Sequence, residues 1–158
     1  MISIPREIRE FINSQGIFAV GSIGGTKFCN VSPRIFFLVT EDLIYWLDFF
    51  KHKSIRNFTV NPWVTISVYD KNTLEGYQIK GIVNILTEEP EKSEIRKKII
   101  DMTLKSYQSK KVQNLSQREA QVIKFRPKVI YELNPEKFSD LSIGSDIDAQ
   151  EFLIKRGK

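Results

Sequence analysis

The stretch Trp63-Val64-Thr65-Ile66-Ser67-Val68-Tyr69 alternates without a break: Val64, Ile66 and Val68 fall on one side, Thr65, Ser67 and Tyr69 on the other. Successive strand side chains point to opposite faces, so this pattern predicts a strand with one face in a core. Asp70-Lys71-Asn72 reads as a turn. Beyond it Gly76–Leu86 reads as a longer strand with Tyr77, Ile79, Gly81, Val83 and Ile85 on one side, Gly81 marking a bulge or a close backbone approach. On the amino-terminal side Asn61-Pro62 ends a short helix candidate, residues 50–58, in which Ile55 and Phe58 both face inward.

Working further back, three strands are expected: residues 17–22, 28–39 and 43–49. Ile23-Gly24-Gly25-Thr26 and Thr40-Glu41-Asp42 are the turns between them. The glycine pair reads as a hairpin turn, since no Gly-Lys-Ser/Thr follows it. These strands form an antiparallel meander in which the second lies beside the third. Ahead of them Ile4, Ile8, Phe11 and Ile12 make one helical stripe, with Ser3 as cap, Pro5 in the first turn and Gly16 at the end.

Forward of Leu86, Pro90 opens a helix expected to run to about Ser109, and the polar residues 106–117 read as a loop. Residues 120–125 and 128–133 are two strands separated by Pro127. Antiparallel strands in this number close on themselves to remove their edges. The expected fold is therefore mainly β, a small antiparallel barrel with peripheral helices. One domain covers residues 1–138, and 139–158 form a tail or an arm onto a partner.

Composition narrows the function. Apolar residues at 41% and charged residues at 27% describe an ordinary globular chain. Single cysteine and histidine residues, Cys29 and His52, exclude an internal disulfide and a zinc or haem site with the usual number of ligands from this chain alone. Arg6, Glu7, Arg9 and Glu10 interrupt any secretory apolar run, and no stretch is apolar enough to span a bilayer, so a cytoplasmic protein without a membrane partner is expected. The net charge of +5 raises nucleic acid as a partner. Its densest cluster, Lys92 to Lys111, is interleaved with Glu91, Glu94 and Asp101, and reads as the solvated face of a helix. No DNA- or RNA-binding motif accompanies it, and nucleic acid is disfavoured.

The chemistry concentrates in Leu47-Asp48-Phe49-Phe50-Lys51-His52-Lys53-Ser54. Cations, an imidazole and a hydroxyl stand at the start of a short helix, the combination that a phosphate requires. Cys29-Asn30-Val31-Ser32-Pro33-Arg34 lies on the preceding strand, from which Ser32 and Arg34 can approach the same anion. Pro33 interrupts the ladder there and frees backbone groups for a ligand.

The order of N-terminal helix, strand, turn, "NVSP" strand, "HKS", "NP" and "VTISVYD" resembles the pyridoxamine-phosphate-oxidase-like flavoproteins, above all their small bacterial FMN-binding members, over roughly residues 4–134. The motifs are short, and their combination and spacing make the resemblance specific. It implies a split β-barrel homodimer with FMN between the subunits. It further implies that Lys53 and Ser54 hold the FMN phosphate with His52 beside it. Asn30, Val31 and Ser32 then belong to the strand passing the flavin, Val31 at the ring and Ser32 towards the phosphate, and Asp48 and Phe49 border the ring. The chain departs from pyridoxamine-phosphate oxidases in having no tryptophan after Trp63, which leaves their C-terminal substrate motif unmatched. The implied activity is an FMN-dependent oxidoreductase of unspecified substrate. The alternatives are a non-catalytic FMN protein or electron carrier, and a related barrel that takes deazaflavin or haem.

Overall fold

The computed structural model describes residues 2–26, 28–50, 53–134 and 139–145. The chain order is α1 (Arg6–Gln15), β1 (Phe18–Ile23), β2 (Cys29–Arg34), β3 (Phe37–Val39), β4 (Ile44–Asp48), α2 (Lys53–Val60), β5 (Trp63–Tyr69), β6 (Gly76–Leu86), α3 (Glu91–Ser106), α4 (Lys110–Ser116), β7 (Gln121–Asn134) and β8 (Ser139–Ser145). Every strand pairing is antiparallel. The sheet runs β2-β1-β5-β6-β7-β4-β3, and β8 adds to β7. β2 and β3 follow each other in the chain yet sit at opposite ends of that path, so the sheet must curl. Phe18 on β1 and Phe37 on β3 meet across the curl with ring centroids 4.7 Å apart. This is the split-barrel architecture, mainly β with helices outside.

Two apolar clusters hold it together. Inside the curl, Ile8 and Ile12 of α1 pack with Val20, Trp46, Val64, Ile66, Val68, Ile79, Ile123 and Phe125. The alternation of β5 thus points Val64, Ile66 and Val68 inward as its sequence requires. On the outer face of β4 and β7, Tyr45, Leu47 and Val122 pack under Ile99 of α3 and Val112 of α4. β4 is consequently buried on both faces along its whole length.

Gly16 ends α1 in the left-handed region, φ 68°, and its N–H returns to the carbonyl of Ile12. Gly81 meets both expectations for it. The β6–β7 register shifts between Lys80 and Gly81, and a Cβ at Gly81 would overlap the carbonyl oxygen of Arg126.

The structure corrects several of these expectations. Residues 28–39 are two strands, because the chain leaves the ladder at Ile35-Phe36 to cross from one end of the curled sheet to the other. For the same reason β2 pairs with β1 alone and does not lie beside β4; only β3 does. Pro127 does not divide its strand: it sits opposite Gly81 at the bulge, where the ladder is already irregular and its missing N–H costs little. The third helix stops at Ser106, and the polar stretch after it contains α4, whose Val112 and Leu115 lie three apart and pack on the outer cluster. Ser3 does not cap α1; its hydroxyl donates to Asp42 at 3.0 Å and Pro5 occupies the cap position. Ser139–Ser145, the start of the expected tail, pairs with β7 as β8. No described helix is long and apolar enough to cross a membrane.

Candidate functional site

β2 turns the half-buried Asn30, Ser32 and Arg34 towards a cavity whose edge Pro33 also lines, while Cys29 and Val31 are exposed and do not line it. The facing wall comes from the end of β4 and the start of α2. Together with Phe36 and Leu115 of α4 these segments enclose about 460 Å³, lined by Asn30, Ser32, Arg34, Asp48, Phe49, Phe50, Lys53 and Ser54 among others. That volume falls within the range of small-ligand and cofactor pockets.

The floor is a polar network. Asn30 donates its side-chain amide to Ser54 Oγ at 2.9 Å, and the Ser32 and Ser54 hydroxyls stand 3.4 Å apart. Ser54 is buried in the first turn of α2, so its hydroxyl is held where the free N–H groups of that helix end also lie. Arg34 Nη1 donates to Ser32 Oγ at 2.7 Å and to the Pro33 carbonyl at 2.9 Å. Its Nε lies 2.6 Å from Asp48 Oδ1, with both side chains largely buried. The Nε–H finds no well-aligned acceptor, so this is a close approach of opposite charges more than a directed hydrogen bond. Asp48 thereby offsets the Arg34 charge within the wall, and among the described lining residues Lys53, exposed at the rim, is the other cation.

The roof is aromatic. Phe36 and Phe49 pack edge to face with centroids 4.8 Å apart, and Phe50 extends the wall. A second anchor fixes the neighbouring hairpin: Asn57 of α2 donates to Ser22 of β1 at 3.1 Å, and Gly24 lies so close to Asn57 that a Cβ there would overlap its side chain.

Of the residues singled out in the sequence, Asn30, Ser32, Asp48, Phe49, Lys53 and Ser54 come together around one cavity. Val31 does not; it is 64% exposed on the opposite face of β2. His52 lies outside the described residues. The motif reading left Phe36, Phe50 and Leu115 out of the site. Only the Val112/Leu115 spacing hinted at the last of these.

The fold and this cavity define a split-barrel protein with a polar, hydroxyl-lined floor and an aromatic roof. The family model for pyridoxamine 5'-phosphate oxidase matches residues 4–141, and the chain belongs to that family. No curated protein matches it significantly. Among solved structures it is similar to HupZ from Group A Streptococcus, at 20% identity and a TM-score of 0.63, covering 84% of this chain and 95% of that one. A protein from Clostridium acetobutylicum related to general stress protein 26 of Bacillus subtilis, of the pyridoxinephosphate oxidase family, superposes with a TM-score of 0.68 at 13% identity, covering 89% and 93%. HutZ, the heme storage protein from Vibrio cholerae, does so with a TM-score of 0.60 at 18% identity, covering 81% and 92%.

Proposed function

We propose that this protein is a cytoplasmic FMN-binding flavoprotein that works as an oxidoreductase. The observation that carries the reading is the division of a single cavity into two chemistries. Ser32, Ser54, Asn30 and Lys53, with the first turn of α2, suit a phosphate; Phe36, Phe49 and Phe50 suit a planar ring. FMN carries both groups on one molecule. Bound there, the flavin supplies the electron transfer, and the chain's part is to bind, orient and shield it. Lys53 and Ser54 take the phosphate, with His52 beside them. Asp48 holds Arg34 against Ser32 and borders the ring with Phe49.

The same reading makes the protein a homodimer with the flavin at the subunit interface. Among the described residues β2 ends the sheet path, and Val31 on it, Phe28 just before it and Ile23 at the end of β1 are all exposed. An unpaired edge with apolar side chains is a surface that proteins ordinarily cover. A second subunit there puts Val31 against the ligand region of its partner.

An absorption spectrum of the purified protein, then FMN titration of the stripped form, tests the ligand. Flavin bands and tight rebinding are expected. A Soret band in their place would favour haem, the ligand class that the likeness to HutZ brings in, and a colourless protein indifferent to FMN would sink the flavin reading. Steady-state turnover with a nicotinamide donor separates an oxidoreductase from a carrier.

A further inference from the structure

A second cavity, about 570 Å³, backs onto the first through Asp48, Phe49 and Phe50, which line both. Its other walls are Glu89, the first turns of α3 (Lys92, Ser93 and Arg96), Gln117 and Glu119–Gln121. Lys92 and Arg96 are four apart and so share a helix face, both half-buried, while Lys97 and Lys98 point out to water. The Arg96 guanidinium is held rigidly: one Nη donates to the carbonyls of Arg118 at 2.8 Å and Ser116 at 3.3 Å. Neutral carbonyls fix it without cancelling its charge, and no carboxylate among the described residues forms an ion pair with it. Outside the lining, the exposed Arg118 side chain lies over the Phe50 ring at 5.6 Å and steadies that wall.

The carboxylates of this chamber are otherwise occupied or peripheral. Asp48 is paired with Arg34, and Glu89 is exposed, so water screens its charge; hydrogen bonds from Ser93, its side chain foremost and its backbone N–H with it, and the nearby Lys92 hold its carboxyl below the usual carboxylate range. Glu119 stands exposed at the rim. A preorganised guanidinium with free N–H groups beside a lysine favours a carboxylate or phosphate, and an adjacent aromatic wall favours a flat apolar body.

We propose that this second chamber binds a small planar organic anion, its acidic group on Lys92 and Arg96 and its ring on Phe49–Phe50. Taken with the flavin reading, on which this extension rests, such an anion lies across the Phe49–Phe50 wall from the flavin, in a chamber separate from the flavin's own. The binding itself does not need the flavin.

Ligand-observed NMR with benzoate and with its neutral isostere benzamide tests it, on the protein as isolated and after flavin removal. Benzoate is expected to bind at least about tenfold more tightly than benzamide, in both forms. Lys92→Gln should weaken benzoate roughly tenfold, leave benzamide unchanged and keep the melting temperature. Arg96→Lys, which retains charge but loses the fixed fork, should lie between wild type and Lys92→Gln. Equal binding of acid and amide would overturn the proposal. So would benzoate binding that FMN displaces and Lys53→Ala abolishes, since the anion would then occupy the first cavity. Lys92-dependent benzoate binding in a protein that ignores FMN would sustain the chamber and remove only the flavin reading.

Discussion

Among the described lining residues Lys53 carries the positive charge at the rim of the first cavity that no carboxylate offsets, since Arg34 is paired with Asp48. Its replacement by alanine should therefore weaken FMN binding by roughly 1.5–3 kcal/mol, the scale of a hydrogen bond to a charged group. Lys97→Ala, on the outer face of α3, should leave the affinity unchanged, and fluorescence titration of both variants measures the contrast. Equal losses would move the phosphate elsewhere. Arg34 makes a different prediction. Removing one partner of a largely buried ion pair leaves the other charge poorly compensated, so Arg34→Met should destabilise the fold by about 3 kcal/mol. The double variant Arg34→Met, Asp48→Leu should recover much of that in urea denaturation, since no buried charge is stranded. A double variant as unstable as the single one would show that the pair is not the cause.

At the scale of elements, the turn between β5 and β6 depends on Asp70. Its Oδ1 accepts the N–H of Asn72 at 2.7 Å and of Thr73 at 3.4 Å, and Gln15 of α1 reaches its other oxygen at 3.5 Å. These bonds, that from Asn72 foremost, hold its carboxyl below the usual carboxylate range. A group whose pKa is lower folded than unfolded stabilises above its unfolded pKa, and loses that contribution as pH falls through the folded value. Asp70→Ala should thus lower the melting temperature at neutral pH, and the gap to wild type should narrow as the pH drops below the ordinary carboxylate range. A gap independent of pH would mean that the carboxylate charge contributes nothing. α3 depends on one buried anchor, Ile99, which closes the outer cluster over Leu47 and Val122. Ile99→Ala should cost about 2–4 kcal/mol through lost burial and the cavity left behind, measurable by chemical denaturation. Loss of α3 packing would also open the second chamber, whose wall α3 forms.

At the scale of the whole molecule, the curl of the sheet leaves β2 as a terminal strand with Val31 64% and Phe28 82% exposed. If this edge joins two subunits, Val31→Lys should shift the protein from dimer to monomer in analytical ultracentrifugation and weaken FMN binding with it. A dimer that survives the substitution unchanged would place the interface on another face.

The sequence by itself determined the period of most elements, and with it most of the fold. Local alternation needs no tertiary information, so β5 and β6 were legible to the residue, as were the stripe of α1 and its stop at Gly16. The site was legible where the chemistry is concentrated in short motifs: Asn30, Ser32, Asp48, Phe49, Lys53 and Ser54 do meet at one cavity. Tertiary structure decided the rest, through contacts between residues far apart in the chain. The break at Ile35-Phe36 exists because the sheet curls, and no local pattern encodes a curl. Pro127 stays within a strand because the ladder to β6 is already irregular there, Pro127 facing Gly81 and the next residue, Lys128, falling outside the register. α4 forms in a polar stretch because Val112 and Leu115 find the outer cluster. Val31 turns away from its neighbours' cavity for the plainest reason: side chains alternate along a strand, and only the packed sheet decides which set faces the cavity.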